Sequence, residues 1–381
     1  MTQPLTPLST RPAPLVDPRP FATGTPAARQ SATAHRVYEA LIAMWSTGVI
    51  EAGHDLGLFE RLATGPATVP ELAADLGADP RATRVLCDAL VVYGVLERGD
   101  HGRFAMPADI AACLLADGLY SLAGKIFYDR TVAWDAWRGL ADAVRRGPVD
   151  AHGDDQANQI SDVDYEQLTG GINFWAPPIA ELLAGWLRDA GWDARPGRTV
   201  LDVGCGTGIY SHLLLQAFPG ATSTGLEAAR IVPIADRQAG LLGVADRFTA
   251  TACDFMSDPW PSGVDLALFV NIFHLQHPAA ARRLLARSAA ALAPDGVLCV
   301  VDHIVDREGP LDSPQDRFAL LFAASMLATG GGGAHALADY DLWLAGAGLR
   351  RVALLDAPMH RVLFAARADA ALPFRMDGAG R

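Results

Sequence analysis

Cysteine is scarce: the chain has five in 381 residues. Cys87, Cys113, Cys205, Cys253 and Cys299 are odd in number and scattered, with no Cys-x-x-Cys pair. Neither a disulfide framework nor a structural zinc site is indicated, and a reducing cytoplasm is the expectation. Positive charge is also short: Lys plus Arg is 31 against 43 Asp plus Glu, a net charge of −12. With no basic run to offset it, such a chain repels phosphate, so no nucleic-acid partner is expected. No stretch approaches the ~18 uncharged apolar residues of a spanning helix, so no membrane partner is expected either. The opening residues lack the charged-then-apolar pattern of a secretory leader. Charged residues are 19% and hydrophobic ones 50%, which excludes disorder of the whole and supplies a large core.

Four regions follow from the pattern. Residues 1–34 carry seven prolines (Pro4, Pro7, Pro12, Pro14, Pro18, Pro20 and Pro26) and read as a disordered, extended tail. Residues 35–118 begin with an apolar helical stretch in which Val37, Leu41, Met44, Trp45, Val49 and Leu58 recur at three- and four-residue steps. The stretch has few charges for a surface helix, so a second copy of the chain is expected to cover it. A winged helix-turn-helix pattern follows. Pro70 and Pro80 mark helix starts, and Val95–Arg98 and Arg103–Ala105 flank a turn that reads as a wing. Between Pro66 and Leu115 stand four Arg and seven acids, the wrong balance for a helix that must hold phosphates. Packing or dimerisation is the expected role.

Residues 119–190 read as helices, Ser121–Gly147 and Tyr165–Ala190, around a polar stretch from Val149 to Asp164. From 191 to 381 the texture alternates. Strands are expected at Thr199–Val203, Ala221–Glu227, Phe248–Ala252, Val264–Phe269, Gly296–Asp302, Arg350–Leu355 and Val362–Ala366. Helical patterns join the first five, which implies a parallel sheet covered on both faces. The last two are close enough for an antiparallel hairpin at the sheet edge.

The first strand runs into Asp202-Val203-Gly204-Cys205-Gly206-Thr207-Gly208 and then a helix. Glycines there let the backbone pass close to a ligand and turn tightly. A dinucleotide fingerprint would need glycine at position 209, which is Ile209. Glu227 ends the second strand, where a carboxylate can accept both hydroxyls of a ribose. Asp254 and Phe255 end the third, where an acid and a ring can hold an adenine. Asn271, at the end of the fourth, joins this set. Together they describe a site for an adenosine without phosphate, and S-adenosyl-L-methionine is such a molecule.

The run Val200–Gly208 resembles the first motif of class I S-adenosylmethionine-dependent methyltransferases. Cys253–Met256 with Asp258–Pro261 is similar to a segment of the caffeate and acetylserotonin O-methyltransferases and their bacterial natural-product relatives. The winged-helix region resembles that group's dimerisation domain. The likeness covers roughly His35 to Arg367. It implies an α/β Rossmann-like methyltransferase domain, seven-stranded and mostly parallel with an antiparallel edge hairpin, behind a mainly α winged-helix dimerisation domain. It also implies a homodimer acting on a small-molecule acceptor in secondary metabolism.

By the same resemblance, His274 falls where the family carries its general base, and histidine suits proton removal near neutral pH. Leu275 and Gln276 stand where the family has Asp and Trp. Asp302 matches the acid that orients the base, a position usually held by Glu. Tyr165, Asn173, Phe174 and Trp175 lie where the family places substrate-facing residues, with Phe127, Trp134 and Met326 as further wall candidates. Aromatic residues at helical spacing more often serve a core. Gly330–Gly333 resembles a family Asn-Pro-Gly-Gly segment without its Asn. His274, His277 and His303 are of a type that can ligate a metal, but no carboxylate–histidine helix motif accompanies them, and no metal is expected. Hydroxyl methylation leads. Methylation or another alkyl transfer at carbon or nitrogen, and a non-catalytic cofactor-binding protein, stay as alternatives.

Overall fold

A computed structural model describes residues 26–115, 118–147, 169–309, 311–329 and 332–370. It divides into two compact units, residues 1–107 and 108–381.

The first unit carries helices Pro26–Ile42, Met44–Asp55, Leu58–Ala63, Val69–Leu76 and Pro80–Val92. A small sheet, β1 (Ala67–Thr68), β2 (Glu97–Arg98) and β3 (Arg103–Ala105), runs in the order β1-β3-β2. Local chemistry sets these boundaries. Thr68 and Glu71 form a capping box at the helix Val69–Leu76, and Asp79 accepts the Ala82 N–H at 2.9 Å one helix later. Arg103 on the wing reaches back to Glu71 at 3.2 Å. Leu58, Phe59, Leu72, Cys87, Leu90 and Phe104 form the sealed interior.

Part of the expected tail is corrected. Residues 26–34 are the opening turns of the helix Pro26–Ile42, because Pro26 suits a first helical position and Ala27-Ala28-Arg29-Gln30 are strong helix formers. Residues 1–25 lie outside the described residues. Within one chain the apolar stripe is open: Val37 is 52% exposed, Leu41 68% and Trp45 53%.

The second unit is built on seven strands: β4 (Thr199–Val203), β5 (Thr222–Glu227), β6 (Phe248–Ala252), β7 (Val264–Val270), β8 (Leu292–Asp302), β9 (Leu349–Ala357) and β10 (His360–Arg367). Their order is β6-β5-β4-β7-β8-β10-β9. The five strands β4 to β8 are parallel, and β10 is antiparallel to both β8 and β9. β8 starts at Leu292 rather than Gly296, since Leu292 pairs with Val264 before a register shift. Every residue of β7 is buried, as both faces are covered. Leu266 and Leu268 pack with Ile179, Leu183 and Leu214 on one face; Ala267 and Phe269 pack with Leu284, Leu285, Tyr340 and Leu344 on the other.

Ahead of the sheet, the expected helix Ser121–Gly147 is broken into Ala123–Tyr128, a π turn, Trp134–Arg138 and Leu140–Arg146, with Gly139 at the last break. The helix Ala176–Asp189 is entered through a short 3₁₀ turn, Asn173–Trp175, with prolines fixing its first turn. The polar stretch from 149 to 164 lies outside the described residues. The division between the two compact units falls before the helix Ala108–Leu114. That helix is tied onward, with the Leu122 N–H donating to the Cys113 carbonyl at 2.6 Å.

Candidate active site

The parallel strands end together, and their carboxyl ends carry the chemistry. β4 leads through Gly204–Gly208 into the helix Ile209–Ala217. Gly204 has φ +70°, and a Cβ there would lie 2.3 Å from Ile272 Cδ1, so only glycine fits. Gly206, at φ +55°, donates its N–H to Glu227 Oε2 at 2.8 Å, and its Cβ direction is open. The Glu227 carboxylate thus sits at the turn, 8% exposed.

Asp202 lies behind the turn. It is 2% exposed and accepts the Ser211 hydroxyl at 2.6 Å. Burial pushes its carboxyl up to about 7, opposed by the Ser211 bond and reinforced by the Glu227 charge. Gly208 ends the turn in the left-handed region and starts the helix. The Phe255 ring lies beside Gly204. Asp254 caps its own turn, accepting the Met256 N–H at 2.9 Å and the Ser257 hydroxyl at 2.6 Å; these bonds hold its carboxyl below the usual range.

A left-handed backbone turn open in front, a carboxylate at the second strand end and a ring flanking the turn fit an adenosine ribose and base. The residues present therefore suit S-adenosylmethionine.

The second half of the site lies at the ends of β7 and β8. His274 occupies a 3₁₀ turn, Phe273–Leu275, and is 5% exposed. Asp302 ends the neighbouring β8 and is 1% exposed. The His274 backbone N–H donates to Asp302 Oδ2 at 3.1 Å, and the ring Nδ1 lies 2.8 Å from Oδ1. The His303 backbone N–H also donates to Oδ1, at 2.7 Å. Burial alone would raise the Asp302 carboxyl, but the His274 imidazole and the His303 contacts hold it well below the carboxylate range. Nδ1 is accordingly the protonated nitrogen, and the lone pair is on Nε2.

The loop is braced without the family's Asp and Trp. His335 Nε2 donates to the Phe273 and Gln276 carbonyls at 3.0 and 2.9 Å. Gly333 N–H donates to the His274 carbonyl at 2.8 Å.

A cluster of rings surrounds the imidazole. His303 lies 5.3 Å from His274, 4.0 Å from Phe322 and 4.4 Å from His360, ring centre to ring centre. Trp175 closes on His360 at 4.8 Å and Phe318 on Trp175 at 6.2 Å. Phe318, Phe322 and Met326 share one face of the helix Pro314–Thr329, and Met326 lies beside Gly332. A buried ion pair fastens that helix to the sheet. Arg361 of β10 meets both oxygens of Asp316, and these contacts pull the Asp316 carboxyl down to about 2.

The other expected residues are dispersed. Trp175 joins the ring cluster, with Phe174 packed 5.6 Å from it. Asn173 is bound to the glycine turn instead, accepting the Thr207 hydroxyl at 3.0 Å. Asn271 has φ +58° and places its side-chain amide 3.0 Å from His360 Nε2. Phe127 is 39% exposed. Tyr165 lies outside the described residues. His277 caps the helix Pro278–Ala291, accepting the Ala279 and Ala280 N–H groups. His274, Asp302 and His303 bring possible metal-ligating atoms within 4.8 Å of one another, but the Asp302 oxygens already receive three N–H bonds.

With this geometry in view, the likeness to known proteins is informative. The family model of the O-methyltransferase domain matches residues 191–350, and that of the O-methyltransferase dimerisation domain matches residues 38–117. The chain is 30% identical to the 3-hydroxy-5-methyl-1-naphthoate 3-O-methyltransferase of Streptomyces sahachiroi, over 81% of this chain and 87% of that one. It is 28% identical to the mitomycin biosynthesis 6-O-methyltransferase of Streptomyces lavendulae, over 88% and 94%. The structure of human N-acetylserotonin methyltransferase, solved with S-adenosylmethionine, superposes with a TM-score of 0.73 at 21% identity, covering 91% of this chain and 99% of that one. The fold and site define an S-adenosylmethionine-dependent methyltransferase. The chain belongs to the O-methyltransferase family, with that family's dimerisation domain at its N-terminal side.

Sequence reasoning left out His360, Phe318 and Phe322. His360 is brought to the site by register alone, since Arg361 pairs with Asp302 across β10 and β8. The i, i+4, i+8 spacing of Phe318, Phe322 and Met326 was a usable signal for a wall.

Proposed function

We propose that this chain methylates a hydroxyl group on a small, largely planar acceptor, with His274 as general base and Asp302 as its positioning partner. The observation that carries this reading is the 2.8 Å contact between His274 Nδ1 and Asp302 Oδ1, which leaves Nε2 as the proton acceptor. Bound S-adenosylmethionine supplies an activated methyl group, which passes in line to the acceptor oxygen while the C–S electron pair returns to sulfur. The hydroxyl proton goes to His274 Nε2, and the imidazolium so formed faces the Asp302 carboxylate. Methyl ether and S-adenosylhomocysteine are the products. Glu227 would hold the ribose hydroxyls, the glycine turn would approach the amino-acid end, and Asp254 with Phe255 would meet the adenine. The rings of Trp175, Phe318 and Phe322 would form the acceptor walls.

We further read the chain as a homodimer, formed where Val37, Leu41 and Trp45 are open. The matched dimerisation domain supports this. Cytoplasmic residence suits the five free thiols, and no helix among the described residues is long and apolar enough to cross a membrane. A role in secondary metabolism is supported by the similarity to the mitomycin biosynthesis 6-O-methyltransferase. The test is a mass-spectrometric screen of hydroxylated aromatic acceptors for a methyl gain matched one to one by S-adenosylhomocysteine. The same screen with His274→Ala should show that product lost.

A further inference from the structure

His303 is 2% exposed and lies inside the ring cluster, yet half of its hydrogen-bonding capacity is unused. Its Nδ1 lies 3.1 Å from the Met359 carbonyl, so Nδ1 carries the proton and Nε2 the lone pair. That Nε2 is buried and finds no partner among the described residues. Burial, with the His360 and His274 rings beside it, keeps the imidazole pKa well below its usual value, so at neutral pH the ring is an acceptor at Nε2. A buried acceptor left unmatched is destabilising, so the bound complex is where a partner is to be sought. The neighbouring His360 differs, since both of its nitrogens are engaged, at the Pro358 carbonyl and the Asn271 amide.

We propose that His303 is a specificity-determining residue: its Nε2 accepts a hydrogen bond from an O–H or N–H on the ring carbon next to the one bearing the methylated hydroxyl. The inference rests on the proposed methyl transfer to a hydroxyl at His274. Its geometric basis is the 5.3 Å separation of the two imidazole centres. Substituents on adjacent carbons lie about one hydrogen-bond length apart, ~2.8 Å, so one can face His274 and the other His303. The acceptor class is therefore a vicinal hydroxy-hydroxy or hydroxy-amino arene. A ring bearing a single hydroxyl would strand the His303 lone pair. Sites built to bond a polar group reject analogues that lack it far more strongly than apolar pockets reject a missing methylene.

The test uses the full chain with S-adenosylhomocysteine bound, so that binding is read without turnover. The probes are 2,3-dihydroxynaphthalene and 3-methyl-2-naphthol, which share a shape while only the first has the second donor. Calorimetry should show at least ~10-fold tighter binding of the diol. His303→Phe should collapse that ratio to within about twofold, and His303→Gln, which keeps an acceptor, should restore part of it. S-adenosylhomocysteine affinity and melting temperature identify a variant that has failed to fold, and His303→Gln then carries the comparison.

A wild-type ratio near one, failure of both probes to bind, or a ratio that survives in His303→Phe would overturn the proposal. So would a diol preference that vanishes with EDTA and returns with Zn²⁺ or Mg²⁺, because the diol would then be chelating a cation at His274, Asp302 and His303. Methyl transfer to hydroxyls without diol preference would overturn this inference and leave the general function standing. Diol preference in binding with no methyl transfer to any acceptor would overturn the proposed function, and with it this inference, leaving only a diol-binding site.

Discussion

Asp302 holds His274 twice, by the backbone N–H at 3.1 Å and by ring Nδ1 at 2.8 Å. One carboxylate therefore fixes both where the imidazole sits and which nitrogen is free. Two parallel neighbouring strands provide this, because the ends of β7 and β8 lie side by side. Asp302→Asn keeps the shape and removes the charge facing the imidazolium. We expect kcat to fall at least ~10²-fold with cofactor affinity unchanged. A drop confined to KM, read from steady-state kinetics, would place Asp302 in acceptor binding instead.

Glu227 is the cofactor anchor in this account. Under the proposed binding mode Glu227→Ala would remove charged hydrogen bonds to two ribose hydroxyls, each worth about 1.5–3 kcal/mol, so S-adenosylmethionine affinity should weaken by tenfold or more. Glu227→Gln should fall between, since it keeps an acceptor for the Gly206 N–H seen at 2.8 Å. Unchanged affinity of Glu227→Ala by calorimetry would reject the assignment.

Asp316 and Arg361 connect the wall helix to the sheet, and their pairing has a pH signature. The Asp316 carboxyl is lowered from 3.8 to about 2, chiefly by its Arg361 bonds. The stability it contributes is therefore complete above its unfolded pKa and lost as pH falls through its folded one. Asp316→Ala leaves Arg361 buried with the Asp356 carboxylate at 3.2 Å, and should cost about 3 kcal/mol near neutral pH. Urea titrations of both proteins from pH 7 to pH 2 should show that gap narrowing below pH ~4. A gap that stays constant would show that the pair does not carry the difference.

How much of this was readable from sequence depended on how local the signal was. The glycine turn, Glu227 at the end of β5 and the strands β4 to β7 are written in short runs, where strand pattern and turn residues adjoin. The apolar stripe of the first unit was equally visible from its spacing. What escaped was set at long range. His360 reaches His303 because β10 inserts between β8 and β9, an order no local pattern states. Asn173, expected as an acceptor contact from its position ahead of the sheet, also accepts the Thr207 hydroxyl on its amide oxygen, a pairing no local pattern states. The helix beginning at Pro26 was hidden by the prolines before it, which outweighed the alanines that follow.

The open stripe of the first unit has a direct consequence for assembly. Sedimentation of the wild type at micromolar concentration should return twice the chain mass of 40.3 kDa. Leu41→Glu with Trp45→Glu should return the single-chain mass, because two charges would have to be buried in the apolar contact. A wild type that sediments as one chain would refute the homodimer.

The most direct test of the central claim is the single-turnover rate against pH for the wild type and His274→Ala, at saturating cofactor and hydroxyl acceptor. The account predicts a wild-type rate that falls as pH is lowered, because a protonated imidazole has no lone pair for the hydroxyl proton. It predicts a His274→Ala rate ~10²–10⁴-fold lower, flat over the same range, with cofactor bound normally. A pH-independent wild type together with a variant within tenfold of it would contradict general-base catalysis by His274, and would leave positioning as the source of the rate.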